Sequence, residues 1–378
     1  MKQALHGFPV DSSITRTVVL SLFILMLFVS LMAPPGICMS IRDPKDSIAN
    51  LSFNHDGKKV VFDRCRNEGC QIQVYDLETG ELAAYQSPEN ERWTMGKYSY
   101  DGKRITFSVI PVNFTGRLDL GQMQIAVMDA DGKNYKKVTT GHGAKLYPTF
   151  SHNGKKILYA CGAYIREKGG TPAAQYDAWE VDPGTGEQKQ LTFFKYFYMS
   201  NLTYFPDDER FIYYSEKPEV FNGLDWHKNV ELFKKHMNES EAEGKNIYGV
   251  VVMNSKALIK NPYVFPEKTF PQKPLLSKDG SVMIYEKSLS SGKFFLFSPD
   301  GNHKLVCQAG SVSSAAISPD GKLLGVIAAN VGIHIFLVND GSHKERIYVP
   351  TPRSKGFDYN RLPKYKVLSE QPSWIINR

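Results

Sequence analysis

The 378-residue chain lacks most sequence signatures of catalysis. It has no GxSxG nucleophile elbow, no HExxH pair and no phosphate-cradling glycine loop closed by Lys-Ser or Lys-Thr. Hydrolases of the α/β type, helical zinc proteases and P-loop nucleotidases are thereby set aside. Cysteine is scarce, five in all and no CxxC, and the nine histidines are scattered. A metal centre has no ligand set to draw on, and no cofactor is expected. Positive charge exceeds negative by only seven and forms no block, so no nucleic-acid partner is expected either. The many Asp-Gly dipeptides lack the alternating oxygen ligands and closing glutamate of a calcium loop, and read as turns. Helical segments are few, which excludes a parallel α/β architecture.

Charge is absent from residues 17–33, TVVLSLFILMLFVSLMA, which follow Lys2 and Arg16. This apolar run is longer than most signal-peptide cores and at the short limit of a membrane span. Basic residues before it hold that end in the cytoplasm and send the remainder outward. Residues 1–39 therefore read as a signal peptide or a signal anchor, and both readings stand. Gly36 and Cys38 are small enough for a cleavage site before Met39, while Pro34 and Pro35 lie just upstream. Ile37 stands where a lipoprotein signal needs a small residue, so Cys38 is not read as lipid-modified. Residues 40–378 are expected outside the cytoplasm, free or tethered through 17–33. Cys65 and Cys70 bracket the tip of a predicted hairpin, at a separation that a disulfide closes in an oxidising compartment. Cys161 and Cys307 are expected at strand ends as small apolar fillers.

The chain is rich in aromatics, 22 Phe and 20 Tyr, which favours strands. It also repeats itself. A hairpin around an Asp or Asn turn recurs at 51–63, 98–109, 148–160, 202–215, 274–286 and 315–328, the last reading AAISPDGKLLGVIA. Its turn centres are Asp56, Asp101, Asn153, Asp208, Asp279 and Asp320. Each hairpin is followed by a further apolar strand, a second turn and a more polar strand, as in QIQVYDLETGELAAY. Six units of four strands predict an all-β, six-bladed β-propeller of antiparallel blades, because a lone sheet with two apolar faces must bury both against neighbours. The blades fall at about 47–86, 95–140, 145–193, 200–265, 272–309 and 312–349, with a C-terminal tail over 350–378.

The SPDGK turn with its apolar strand, followed by VYDLETG or VMDADGK and a closing Leu191-Thr192, resembles the TolB-type, WD40-like propeller repeat over residues 47–349. The resemblance implies a monomeric propeller of the cell envelope, periplasmic or held at the inner membrane, with an envelope protein as partner. The small α/β domain that precedes the TolB propeller has no counterpart here.

Extra residues fall between the second and third strands of units two, three and four, at 110–123, 161–177 and 216–246. Those links all emerge on the rim opposite the Asp-Gly turns, and long loops on a rigid scaffold are where binding concentrates. The third insertion predicts a helix opened by Asp225, with Trp226, Val230, Phe233 and Met237 on one face. The aromatic run at 193–205 places Tyr196 and Tyr198 near the channel mouth. The expected binding residues are His142, Tyr196, Tyr198, Trp226 and His227, and no catalytic residue is assigned. The function expected is a non-catalytic protein-binding or scaffold module; the alternative is a propeller hydrolase or lyase acting on a peptide or glycan at the channel mouth.

Overall fold

A computed structural model describes residues 47–66, 69–113, 116, 118–165, 173–217, 248–254, 257–259, 263, 265, 271–287, 291–310, 312–328 and 332–348. The apolar segment 17–33, the tail 350–378, and the predicted helix carrying Trp226 and His227 lie outside them. Among the described residues no helix is long and apolar enough to cross a membrane.

Six antiparallel sheets of consecutive strands make a six-bladed β-propeller. The first strand of each blade lies innermost: Ser47–Phe53, Glu91–Tyr98, Ala144–Phe150, Met199–Tyr204, Gln272–Leu276 and Val312–Ile317. Strand order within each sheet follows chain order, so every blade is built from one continuous segment. Blades stack through their apolar faces. Val61, Ile72 and Val74 of blade 1 pack with Trp93, Ile105 and Phe107 of blade 2. Phe62 and Tyr75 pack on the other side with Ala316, Ile327 and Ile333 of blade 6. Burial of each such side chain contributes about 1.5–3 kcal/mol. The same contacts close the ring, helped by the Leu51 N–H donating to Ser314 Oγ at 2.9 Å. The backbone of Gly325 packs close at this seam, where a Cβ would meet Leu51 Cδ2 at 2.8 Å.

The recurring hairpin turn is a polar box. In SPDGK the Ser318 hydroxyl donates to Asp320 Oδ1 at 2.7 Å and accepts from the Leu323 N–H at 2.8 Å. Asp320 Oδ1 also accepts from the Lys322 N–H, while Gly321 takes a φ of 71°, open to glycine without a Cβ clash. Ser99–Asp101 and Ser277–Asp279 repeat the arrangement.

Four expectations change. Blade 4 has three strands among the described residues, with only the Met253–Leu258 bridge beginning a fourth. Much of the supposed insertion 161–177 is strand, because Ile157–Ile165 and Ala173–Val181 pair as one long hairpin from Ile157 opposite Val181 to Ile165 opposite Ala173. That pairing puts Cys161 mid-strand rather than at an end. In the fourth turn the box acceptor is Asp207, which takes the Glu209 and Arg210 N–H groups. Asp208 stands instead where the other units have glycine, with a φ of 56°.

Candidate functional site: the central channel

The inner strands converge on a channel, and each carries a β-bulge at the same height. Two inner residues oppose one on the second strand, a defect that turns side chains toward the axis. In five blades the bulge holds a non-glycine residue in the left-handed region: Asn50, Met95, Tyr147, Asn201 and Lys273, with φ between 46° and 62°. Such a backbone costs on the order of 1 kcal/mol per residue. Five in one ring form a repeated strained feature, and they surround a cavity of about 180 Å³.

Buried carboxyls hold the ring in place. Asp63, fully buried on the second strand of blade 1, accepts from Asn50 Nδ2, from Thr94 Oγ1 at 2.6 Å and from the Met95 N–H at 2.7 Å. One side chain thus ties two neighbouring bulges. Burial pushes its pKa up to about 6 against those hydrogen bonds. Glu286 holds the same place in blade 5, where it pairs with Lys273 Nζ at 2.8 Å and accepts from the Gly292 N–H. Glu216, buried at the end of the second strand of blade 4, accepts from the Tyr198 N–H at 3.3 Å, and burial pushes it up to about 8. Asp177 gathers the Thr192 hydroxyl and the Phe194 N–H, both at 2.8 Å. None of these four carboxyls lines the cavity; Asp63, Glu286 and Glu216 bond to residues of its wall, while Asp177 pins the link into blade 4.

The cavity wall itself is mixed. Tyr98, Tyr147, Tyr198 and Leu275 supply apolar surface; Asn201, Thr203, Ser313 and Lys97 supply polar groups. Lys97 Nζ stands 3.5 Å from Thr203 Oγ1 across the channel. Burial, with no carboxylate acting on it, holds its ammonium down to about 8.

The Asp-Gly rim closes the channel's other end. Tyr100 of blade 2 stacks on His152 of blade 3, ring centroids 3.8 Å apart. Asp208 accepts from the His152 and Asn153 N–H groups of that blade and lies 3.2 Å from His152 Nδ1. His152 Nε2 lies 2.8 Å from the Lys278 carbonyl of blade 5, and Lys278 Nζ donates back to the Tyr100 carbonyl at 3.1 Å. The Lys278 N–H donates to the Pro319 carbonyl of blade 6. Five blades are therefore knitted together beneath the cavity.

The expected site residues scatter. Tyr198 lines the cavity. Tyr196 is 3% exposed, in the core, its hydroxyl 2.9 Å from that of Tyr213; it is a packing residue because the link into blade 4 turns it inward. The exposed aromatics of that link are Phe193 and Phe194, at 74% and 42%. His142 is exposed, with Nδ1 2.7 Å from the Gln122 amide, and lies outside the cavity. Trp226 and His227 fall outside the described residues. Cys65 and Cys70 are joined as a disulfide. No group of three metal-ligating side chains occurs among the described residues. Sequence reading passed over Lys97, Asn201 and Thr203, and also the floor residues Tyr100, His152 and Lys278.

No known sequence family matches the chain. Among solved structures, TolB from Acinetobacter baumannii is similar over 80% of this chain and 63% of its own, at 17% identity and a TM-score of 0.51. The chain thus spans less than two thirds of that protein's length. A chain of the nidogen/laminin complex is similar over 81% of this chain and 94% of its own, at 7% identity and a TM-score of 0.50. An oligogalacturonate lyase in complex with manganese is similar over 79% and 77% respectively, at 14% identity and a TM-score of 0.49. At these identities the likeness shows a propeller fold and nothing finer.

Proposed function

We propose that the protein is an extracytoplasmic binding module that seats its ligand in the central channel, reached from the rim opposite the floor. The observation that carries this reading is the ring of five left-handed, non-glycine bulges around one cavity. Backbone strain persists where surrounding structure enforces it, and it clusters at ligand sites. The Cys65–Cys70 disulfide supports an oxidising compartment, in keeping with export directed by residues 17–33. The proposed outer contacts are His142 and, outside the described residues, Trp226 and His227.

A second reading, a hydrolase or lyase acting on a peptide or glycan, draws on Lys97. An amine held near neutrality in a cavity is a candidate general base. The binding reading is preferred because no carboxyl among the described residues lines the cavity as a partner acid.

The test is native mass spectrometry of the full chain with a panel of short neutral and acidic sugars and tripeptides, beside Thr203→Trp, which fills the cavity. The expected result is capture of at least one probe by the wild type and loss of that capture in the variant. Capture that survives Thr203→Trp, or no capture from the panel, overturns the channel reading. Turnover of a captured probe would favour the enzyme.

A further inference from the structure

The channel holds two lysines at bulge height, and their surroundings differ. Lys273 has Glu286 at 2.8 Å and the Val312 carbonyl at 3.3 Å. Lys97 has one long contact, the Thr203 hydroxyl at 3.5 Å, and no carboxylate among the described residues. An ammonium has three protons to donate, so at least two are unengaged. Lys97 is half-buried on the cavity wall, and a cation partly withdrawn from water without a counter-charge carries a desolvation cost.

Packing does not ask for lysine here. The bulges align Lys97 with Ser52 of blade 1, Thr149 of blade 3, Thr203 of blade 4 and Leu275 of blade 5. Three are short polar residues and one is leucine, so of these five blades only blade 2 carries a charge at this register position. At its tip Thr203 offers a hydroxyl, and Asn201, on the same cavity wall, has a side-chain amide that makes no hydrogen bond among the described residues. Donors from two blades thus face the one cavity. Lys273 is already neutralised by Glu286, so the place at Lys97 carries one net positive charge. That matches a monoanion better than a phosphate dianion. The small cavity volume suits a small acid or the acidic end of a longer chain.

We infer that Lys97, with Thr203 and Asn201, forms a subsite for a carboxylate, an assignment that rests on the channel being the binding place. The carboxylate is held by charge-assisted hydrogen bonds from the ammonium, backed by the hydroxyl and the amide. Its source is either a free small acid or the terminus of a chain.

The test is calorimetric titration of the full chain with sodium acetate, sodium glucuronate, triglycine and triglycine amide, with phosphate and glucose as controls. It is repeated in Lys97→Met, Lys97→Arg and Thr203→Trp. At least one carboxylate should bind and weaken at least tenfold in Lys97→Met. Lys97→Arg should retain part of the affinity, and triglycine amide should bind at least tenfold more weakly than triglycine if chain termini are the source. Acetate or glucuronate binding without triglycine binding identifies a free acid instead. Carboxylate binding unchanged in Lys97→Met, tighter binding of phosphate, or no carboxylate binding at millimolar concentration overturns the subsite. Glucose binding lost in Thr203→Trp but kept in Lys97→Met, with carboxylates gaining nothing from Lys97, leaves the channel reading intact while removing this one. Any probe binding that survives Thr203→Trp removes the channel reading itself. The thermal midpoint of Lys97→Met should stay at or above that of the wild type, separating loss of binding from loss of fold.

Discussion

The two ends of the channel axis are built on different terms. At the floor, polar groups answer one another: Asp208 receives two backbone N–H groups from blade 3, His152 bridges Asp208 and the Lys278 carbonyl, and Lys278 reaches back to Tyr100. At bulge height the same chemistry is left partly open, because Lys273 is paired and Lys97 is not. Buried polar groups in a scaffold are normally satisfied. A floor that obeys the rule therefore reads as structure, and a cavity that departs from it at Lys97 and Asn201 reads as a place awaiting a partner.

The sharpest break of this comparison is Lys273→Met. It strips the counter-charge from Glu286, which is wholly buried and otherwise held by the Gly292 N–H. Removing one partner of a buried pair costs about 3–5 kcal/mol, to be read as a lowered urea midpoint. Glu286→Gln in the same background should recover much of the loss, because the uncompensated charge is then gone. Equal stability of wild type and Lys273→Met would mean that the pair does not brace the ring.

Sequence and structure part company along the same line. The six repeats are visible because an Asp-Gly turn imposes a residue type: Asp320 and Gly321 are there for their acceptor and their left-handed φ. The bulge ring imposes none. Its left-handed residues are Asn50, Met95, Tyr147, Asn201 and Lys273, held by tertiary contacts such as those of Asp63, and no pattern search unites them. Lys97 was equally hidden, one of 46 basic residues whose meaning depends on a blade 106 residues away. Asp208 carried a signal that reading by repeat obscured: PDDER has aspartate where PDGK has glycine, and that departure is what reaches His152.

A second effect, a few kcal/mol at most, concerns pH. Burial raises Glu216 from an ordinary value near 4.5 to about 8. The folded state therefore holds the proton more tightly than the unfolded one. Its contribution to stability is fully present below about 4.5 and is lost as pH climbs through about 8. Asp63, raised to about 6, acts in the same direction at lower pH. Glu216→Gln should flatten the upper part of this decline, so the variant gains on the wild type between pH 6 and pH 9 on the order of 1 kcal/mol or more. Chemical denaturation across that range reads it directly, and parallel curves for the two proteins would remove Glu216 as its source.

At the floor, Asp208→Asn keeps a residue that tolerates the left-handed backbone but gives up one of two acceptor oxygens. The loss expected is about 1–2 kcal/mol for one backbone N–H left with a weaker partner. Carboxylate binding in the cavity should not change. A binding loss matching the stability loss would show that floor and cavity act as one unit.

The smallest expected change in stability is the most telling. Lys97→Met replaces an uncompensated ammonium by an apolar chain of similar reach, in a wall that already contains Tyr147, Tyr198 and Leu275. The desolvation cost of the charge disappears and little contact is lost, so stability should hold or rise by up to about 1 kcal/mol. The same exchange at Lys273, on the bulge of blade 5 in the same channel, is expected to cost several times that. If both variants lose stability equally, Lys97 has a structural partner and the asymmetry between the lysines is not functional. If Lys97→Met holds its midpoint while Lys273→Met falls, the fold is carrying a charge it does not need, in the one position where a ligand would use it.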